Sequence, residues 1–177
     1  MERPTGVRES RCRAASLRAI GRGVATTVWL ALAGLAAGCG ASPPPPPVTT
    51  PVQLTFMASA DINPDVSGRA APVVLRYYQL GGTGAFERAD YFQLHDKDAA
   101  LLGQDLLDRQ ELPLTPGATQ TVAFEAKPGT KAVGIIAAYR DIDRALWRVD
   151  APITTGQKAS LTVRVEKLKL TIAPTTR

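Results

Sequence analysis

Side chains able to do chemistry are few. The 177-residue chain holds one His and two Cys. A hydrolytic triad would have to use His95, in Gln93-Leu94-His95-Asp96-Lys97-Asp98, and Ser42, Ser59, Ser67 and Ser160 stand in no G-x-S-x-G nucleophile elbow. His95 reads instead as a surface or turn residue between two helices, with Asp96 or Asp98 as a helix N-cap. Asp61, Asn63 and Asp65 have the spacing that opens a calcium loop, but Val66 stands where the sharp turn needs Gly and Pro72 where a bidentate Glu is required. That stretch reads as a rigid, solvated turn. The expectation is a protein with no catalytic set, no metal site and no cofactor.

Cys39 is the exception. It follows Leu35-Ala36-Ala37-Gly38, small residues that resemble a bacterial lipobox, in which the Cys thiol is diacylated, the preceding bond is cut and the new N-terminus is acylated. Leu35 lies one position further from the Cys than the usual Leu. Residues 24–37 form an uncharged apolar run of 14 positions, shorter than the roughly 20 that a membrane-spanning helix needs and suited to a signal-peptide core. Residues 1–38 are therefore expected to be a lipoprotein signal peptide and Cys39 the site of lipidation. Gly40 follows the Cys where Asp often signals inner-membrane retention, which favours the outer membrane.

The leader also explains the charge. Of the formal +5, residues 1–39 contribute six Arg against Glu2 and Glu9, whereas the remaining 15 Lys and Arg face 14 Asp and Glu. No basic surface is left over for nucleic acid. Residues 39–51 form a tether: five consecutive prolines favour a stiff polyproline II spacer at about 3.1 Å per residue, holding the domain about 35 Å or less from the membrane. Cys12 leaves with the leader and Cys39 becomes a thioether, so the folded part must stand without a disulfide. A domain of about 125 residues can do so on its core alone.

That domain, residues 52–177, reads as strands. Leu54, Phe56 and Ala58 alternate with Thr55, Met57 and Ser59; residues 72–80 are β-branched and aromatic; Val122 and Phe124 alternate with Thr121 and Glu125. Residues 131–139 are apolar on both parities, as in a central strand covered on both faces. Leu161, Val163 and Val165 share one parity and Leu168, Leu170 and Ile172 the other, so a bulge or tight corner must fall between Val165 and Leu168. Turn signals at Pro116-Gly117, Pro128-Gly129 and Thr155-Gly156 suit short antiparallel strands. Residues 84–108 break the pattern, with Phe86, Ala89, Phe92, Ala99, Leu102 and Leu106 at three- and four-residue spacing, and predict one or two short helices. About seven strands with one helical insertion make an all-β sandwich the expected fold. Trp147 is expected in the core, or with Arg148 on a partner-facing rim; Arg148 and Asp143 otherwise read as solvated.

The run Ala58-Ser59-Ala60-Asp61-Ile62-Asn63-Pro64, then Gly68 and residues 72–80, Phe86, residues 89–92, Leu94, Leu101, Asp105-Leu106, Pro116-Gly117, residues 133–141 and Leu146-Trp147-Arg148 resemble the outer-membrane lipoprotein of type VI secretion systems, the TssJ (SciN) family. The resemblance spans about residues 35–172. It implies a two-sheet, transthyretin-like β-sandwich with a helical insertion after the second strand. It also implies a scaffold that anchors the trans-envelope complex by binding the periplasmic domain of the large inner-membrane subunit (TssM/IcmF-like). In that family the loop between the first two strands makes the contact. Here that loop supplies Ile62, Asn63, Pro64, Asp65, Val66, Ser67, Gly68 and Arg69 within residues 62–71. Ile62 and Val66 are the expected apolar anchors, with Asp65 and Arg69 at the rim; the alternative is that Ile62 or Val66 tucks under the sandwich as a core cap. A periplasmic ligand- or peptide-binding, chaperone-like lipoprotein is the alternative, and an envelope hydrolase lacks the residues it would need.

Overall fold

Val52, Leu54 and Phe56 alternate with Gln53, Thr55 and Met57, so an extended chain sends the first three to one face. In the computed structural model, which describes residues 48–175, all three are buried in strand β1 (Pro51–Ala58). The leader, Cys39 and most of the tether lie outside the described residues. Folding begins slightly earlier than expected. Pro51 already belongs to β1, and Thr50 is buried, its hydroxyl accepting from the Gly156 N–H at 2.8 Å and its carbonyl from Ala126 N–H at 2.9 Å.

The described residues form eight strands in two four-stranded sheets. After β1 come β2 (Val73–Leu80), β3 (Leu106–Leu114), β4 (Thr119–Glu125), β5 (Ala132–Ala137), β6 (Arg148–Pro152), β7 (Ala159–Glu166) and β8 (Lys169–Pro174). One sheet has the order β4-β1-β7-β8, the other β3-β2-β5-β6. The parity change in the C-terminal stretch is a two-residue hairpin, with Glu166 opposite Lys169 and Lys167-Leu168 at its tip. The turn signals suit antiparallel neighbours, and most pairs are antiparallel, but β1 runs parallel to β7, from Val52 opposite Ala159 to Ala58 opposite Val165. Parallel neighbours need a long crossover, and here nearly the whole domain supplies it.

The main core lies between the sheets, built from Val52, Leu54, Phe56, Leu75, Val133, Ile135, Val163 and Val165 among others. The insertion after β2 contains α1 (Gly84–Arg88) and α2 (Tyr91–Leu102) and covers the outer face of the second sheet. There Phe86, Leu94 and Leu102 bury against Tyr78, Leu80, Ala132 and Ile136. This second core is why all six residues of β5 are buried. Gly134 in that strand is required by close approach: a Cβ on it would stand 2.7 Å from Phe86 Cζ and 2.9 Å from Leu80 Cδ1.

β1 carries the chain from the tether end of the sandwich to the opposite end, a path of about 26 Å for eight extended residues. At that far end four connections meet: residues 59–72, 115–118, 138–147 and 167–168.

Candidate partner-binding loop

The loop between β1 and β2 is built around Asn63. Its φ of 47° is left-handed, a conformation Asn tolerates better than most residues. It is 3% exposed, and every polar part of its side chain is used. Asn63 Nδ2 donates to Pro72 O at 2.7 Å, closing the base of the loop, and Oδ1 accepts the Arg140 N–H at 2.8 Å from the β5–β6 connection. The Asn63 N–H donates to Lys167 O in the β7–β8 hairpin, and Ala71 N–H returns to Ile62 O. One residue thus joins three of the four connections at this end.

Beyond the base, Asp65 organises the tip. Its Oδ1 accepts the N–H groups of Ser67 (2.8 Å) and Arg69 (3.0 Å), and Oδ2 accepts Arg69 Nε at 3.1 Å. The Arg69 N–H bond holds the Asp65 carboxyl below the usual carboxylate range; burial opposes it, and Ser67, the Arg69 side chain and the charge of Arg140 add to the lowering. Gly68 takes φ 78° to complete the turn, its N–H donating to Asp65 O. The turn leaves Val66 fully exposed at the apex and spends Asp65 and most of the polar backbone on the loop itself. The result is a loop held by its own hydrogen bonds with an apolar side chain at its tip.

This geometry sits in a chain whose residues 50–168 match the family model T6SS-SciN, described as type VI secretion lipoprotein, VasD, EvfM, TssJ. The chain belongs to this family. The TssJ1 lipoprotein of Pseudomonas aeruginosa is similar at 34% identity with a TM-score of 0.71, over 73% of this chain and 98% of that one. Serratia marcescens Lip, described as a membrane-bound component of the type VI secretion system, shares the fold with a TM-score of 0.67 at 24% identity, over 73% and 100%. A third similar chain comes from a structure described as the T6SS protein TssM C-terminal domain from EAEC, at 26% identity and a TM-score of 0.59, over 71% and 98%. A comparison with curated proteins finds no match. The two-sheet sandwich with a helical insertion after the second strand is therefore the fold of a type VI secretion lipoprotein.

Within this type VI secretion lipoprotein, the expected loop residues divide sharply. Val66, Ser67, Gly68 and Arg69 are exposed at the tip; Pro64 and Asp65 are partly covered; Asn63 is the buried tie. Ile62 corrects an expectation. It is 0% exposed and belongs to the main core, so it cannot anchor a partner. A lone apolar residue in a loop carries no parity that says which way it faces, and here Asn63 fixes it inward. Asp61 accepts from Ser59 Oγ at 2.7 Å, while Asn63 and Asp65 bind backbone and Arg69; the three side chains serve separate partners and do not converge.

The helical insertion brings further corrections. The cap of α2 is Asp90, which accepts the Gln93 N–H while Gln93 Oε1 accepts from Asp90 N–H, a capping box legible in Asp90-Tyr91-Phe92-Gln93. Asp96 is exposed, beside His95. His95 is also exposed, as expected, and lies in α2 two residues before the kink at Lys97 where two helical segments meet. Asp98 follows a kink at Lys97 and is buried, paired with Arg76 at 3.2 Å and with Arg109. Arg76 extends the link, donating to His95 O at 2.8 Å and to Glu111 at 2.6 Å. Arg148 is half-buried rather than simply solvated: Nη1 donates to Phe86 O and Ala89 O, both at 2.7 Å, and its guanidinium lies 4.8 Å from the Trp147 ring. Trp147 packs against both cores and meets Tyr91 edge-on at 5.3 Å. Asp143 is exposed as expected.

Sequence reasoning assigned no place at this end to Leu146 or to the backbone of Arg140. Leu146 is 61% exposed at the same end as Val66, held by a bridge to Lys169. Neither residue lies in a periodic segment that would have marked it.

Proposed function

We propose that this protein is a non-catalytic scaffold, held to the outer membrane by lipid on Cys39, that anchors a type VI secretion trans-envelope complex by binding the periplasmic domain of a TssM-like inner-membrane subunit. The observation that carries the reading is the 62–71 loop, with Val66 at its apex, at the end of the sandwich opposite the tether. A chain that enters β1 at one end of the sandwich and an apolar loop at the other suit a bridge between a lipid-anchored N-terminus and a periplasmic partner. Family membership and the similar chain in a structure described by TssM support the partner's identity. The contact has an apolar centre at Val66 and a polar rim at Ser67 and Arg69.

Replacing residues 64–69 with Gly-Gly tests it. Ile62 and Asn63 stay in place, so the domain folds with an unchanged thermal midpoint. Its affinity for the purified periplasmic domain of the inner-membrane subunit falls below detection, and secretion stops. Undiminished affinity in the folded variant would move the contact off this loop.

A further inference from the structure

Each sheet edge in a sandwich shows a row of unpaired N–H and C=O groups, and proteins commonly blunt such edges with proline, charge or shortness. Three edges here are blunted. β3 contains Pro113 among Asp108, Arg109 and Glu111; β6 has five residues, two of them charged, and ends at Pro152; β8 begins with Lys169 and ends at Pro174. β4 is different. Its seven residues, Thr119–Glu125, contain no proline, and Glu125 at the end is the one charge.

The direction of its free groups follows from its bonds to β1. Ala58 N–H donates to Ala118 O, and Ala126 N–H donates to Thr50 O, both at 2.9 Å. Backbone groups alternate along a strand, so residues 118 to 126 of even number face β1. Thr119, Thr121, Ala123 and Glu125 therefore aim their N–H and C=O groups away from the sheet. On the core side of the same strand, Val122 and Phe124 are only half-buried, although Phe124 stacks on Tyr77 with ring centres 5.7 Å apart.

We propose that the edge of β4, which has no neighbouring strand on that side among the described residues, pairs antiparallel with β4 of a second copy of this chain, about a two-fold axis at Val122. That register satisfies parity: Thr121 lies opposite Ala123 and Thr119 opposite Glu125, as hydrogen-bonded pairs, with Val122 opposite Val122 between them. No like charges meet, because each Glu125 faces a Thr. The half-exposed Val122 side chains cover each other, and each Phe124 lies opposite Gln120. The same surface serves both copies, as a two-fold interface requires. The two sheets then join as one eight-stranded sheet, leaving the 62–71 loop of each copy free.

The test uses residues 48–175, which hold both cores and match the extent of the similar TssJ1 chain. Analytical ultracentrifugation is expected to show a concentration-dependent dimer. In Thr121→Lys/Ala123→Lys, lysines face each other twice across the seam, and dimerisation weakens at least tenfold with thermal stability retained. Ala123→Pro, which removes only an outward N–H, gives the same result should the double variant fold poorly. The described residues contain no Cys, and a non-hydrogen-bonded antiparallel pair brings Cα atoms to about 4.5 Å, within disulfide reach. Val122→Cys should cross-link into dimers on mild oxidation, whereas Arg164→Cys on β7 should not. A monomer at all concentrations, a dimer indifferent to both edge variants, or equal cross-linking at 122 and 164 would overturn the proposal.

Discussion

The Asn63 carboxamide oxygen accepts the Arg140 backbone N–H at 2.8 Å, joining two loops 77 residues apart in sequence. With Asn63 Nδ2 on Pro72 O, this bond converts the β1–β2 connection from a long excursion into a fixed platform. Truncating Asn63 leaves a donor and an acceptor unpaired, at about 1–3 kcal/mol each. Asn63→Ala also places an ordinary side chain at positive φ; Asn63→Gly relieves that strain but loses the same bonds. Chemical denaturation should show both variants destabilised, Ala more than Gly by about 1 kcal/mol. Equal stability of Asn63→Ala and the parent would refute the platform.

Asp98 holds the kinked helix α2 on the second sheet through Arg76 and Arg109. Removing the Asp98 carboxylate takes a buried hydrogen-bonding partner from Arg76, which keeps Glu111 and His95 O, and from the half-exposed Arg109, at about 1–3 kcal/mol. Asp98→Ala should lose that much in urea unfolding, while Asp96→Ala, two residues away and exposed, should change stability by less than about 0.5 kcal/mol.

Gly134 makes room for Phe86 in the outer core. Gly134→Ala pushes the Phe86 ring off β5 and should cost about 1–3 kcal/mol by overpacking. Adding Phe86→Leu, which shortens the intruding side chain, should recover part of the loss. A stabilised Gly134→Ala would mean that the ring moves aside freely.

Asp65 carries a pH dependence whose sign follows from its lowered pKa. A carboxyl with a folded-state value below the ordinary 3.8 favours the ordered loop above that value and loses its contribution as the pH falls through the lowered one. Amide exchange at Ser67 and Arg69 should therefore be protected near neutrality and unprotected in Asp65→Ala. In the parent, the Asp65 carboxyl resonance should titrate below 3.8, with the loop amides shifting in step. An unshifted titration would remove Asp65 as organiser of the tip.

Cys39→Ser should abolish fatty-acid labelling and release the protein from the membrane fraction. The motive is the run of small residues directly before the last Cys in the chain. Equal label and retention in the mutant would end the lipoprotein mechanism.

What the sequence determined by itself is local or one-sided. Period-two alternation marked the buried faces of β1, β4 and β7; the parity change between Val165 and Leu168 demanded a bulge or tight corner; two apolar parities in residues 131–139 announced a strand covered on both faces. These signals survive without tertiary knowledge because side-chain direction repeats every two residues in a strand and every three or four in a helix. Tertiary structure alone decided the parallel pairing of β1 with β7, since alternation says which face is buried and nothing about which strand lies alongside. It decided that Ile62 turns inward while Val66 stays out, because in a loop the direction of a side chain is set by distant backbone groups, here those of Pro72, Arg140 and Lys167 that bind Asn63. It decided, too, that Asp98 and Arg148 serve as internal ties rather than simply solvated charges. A charged side chain carries no periodic mark of its partner, and its burial becomes favourable only once the fold brings the matching groups within hydrogen-bond reach.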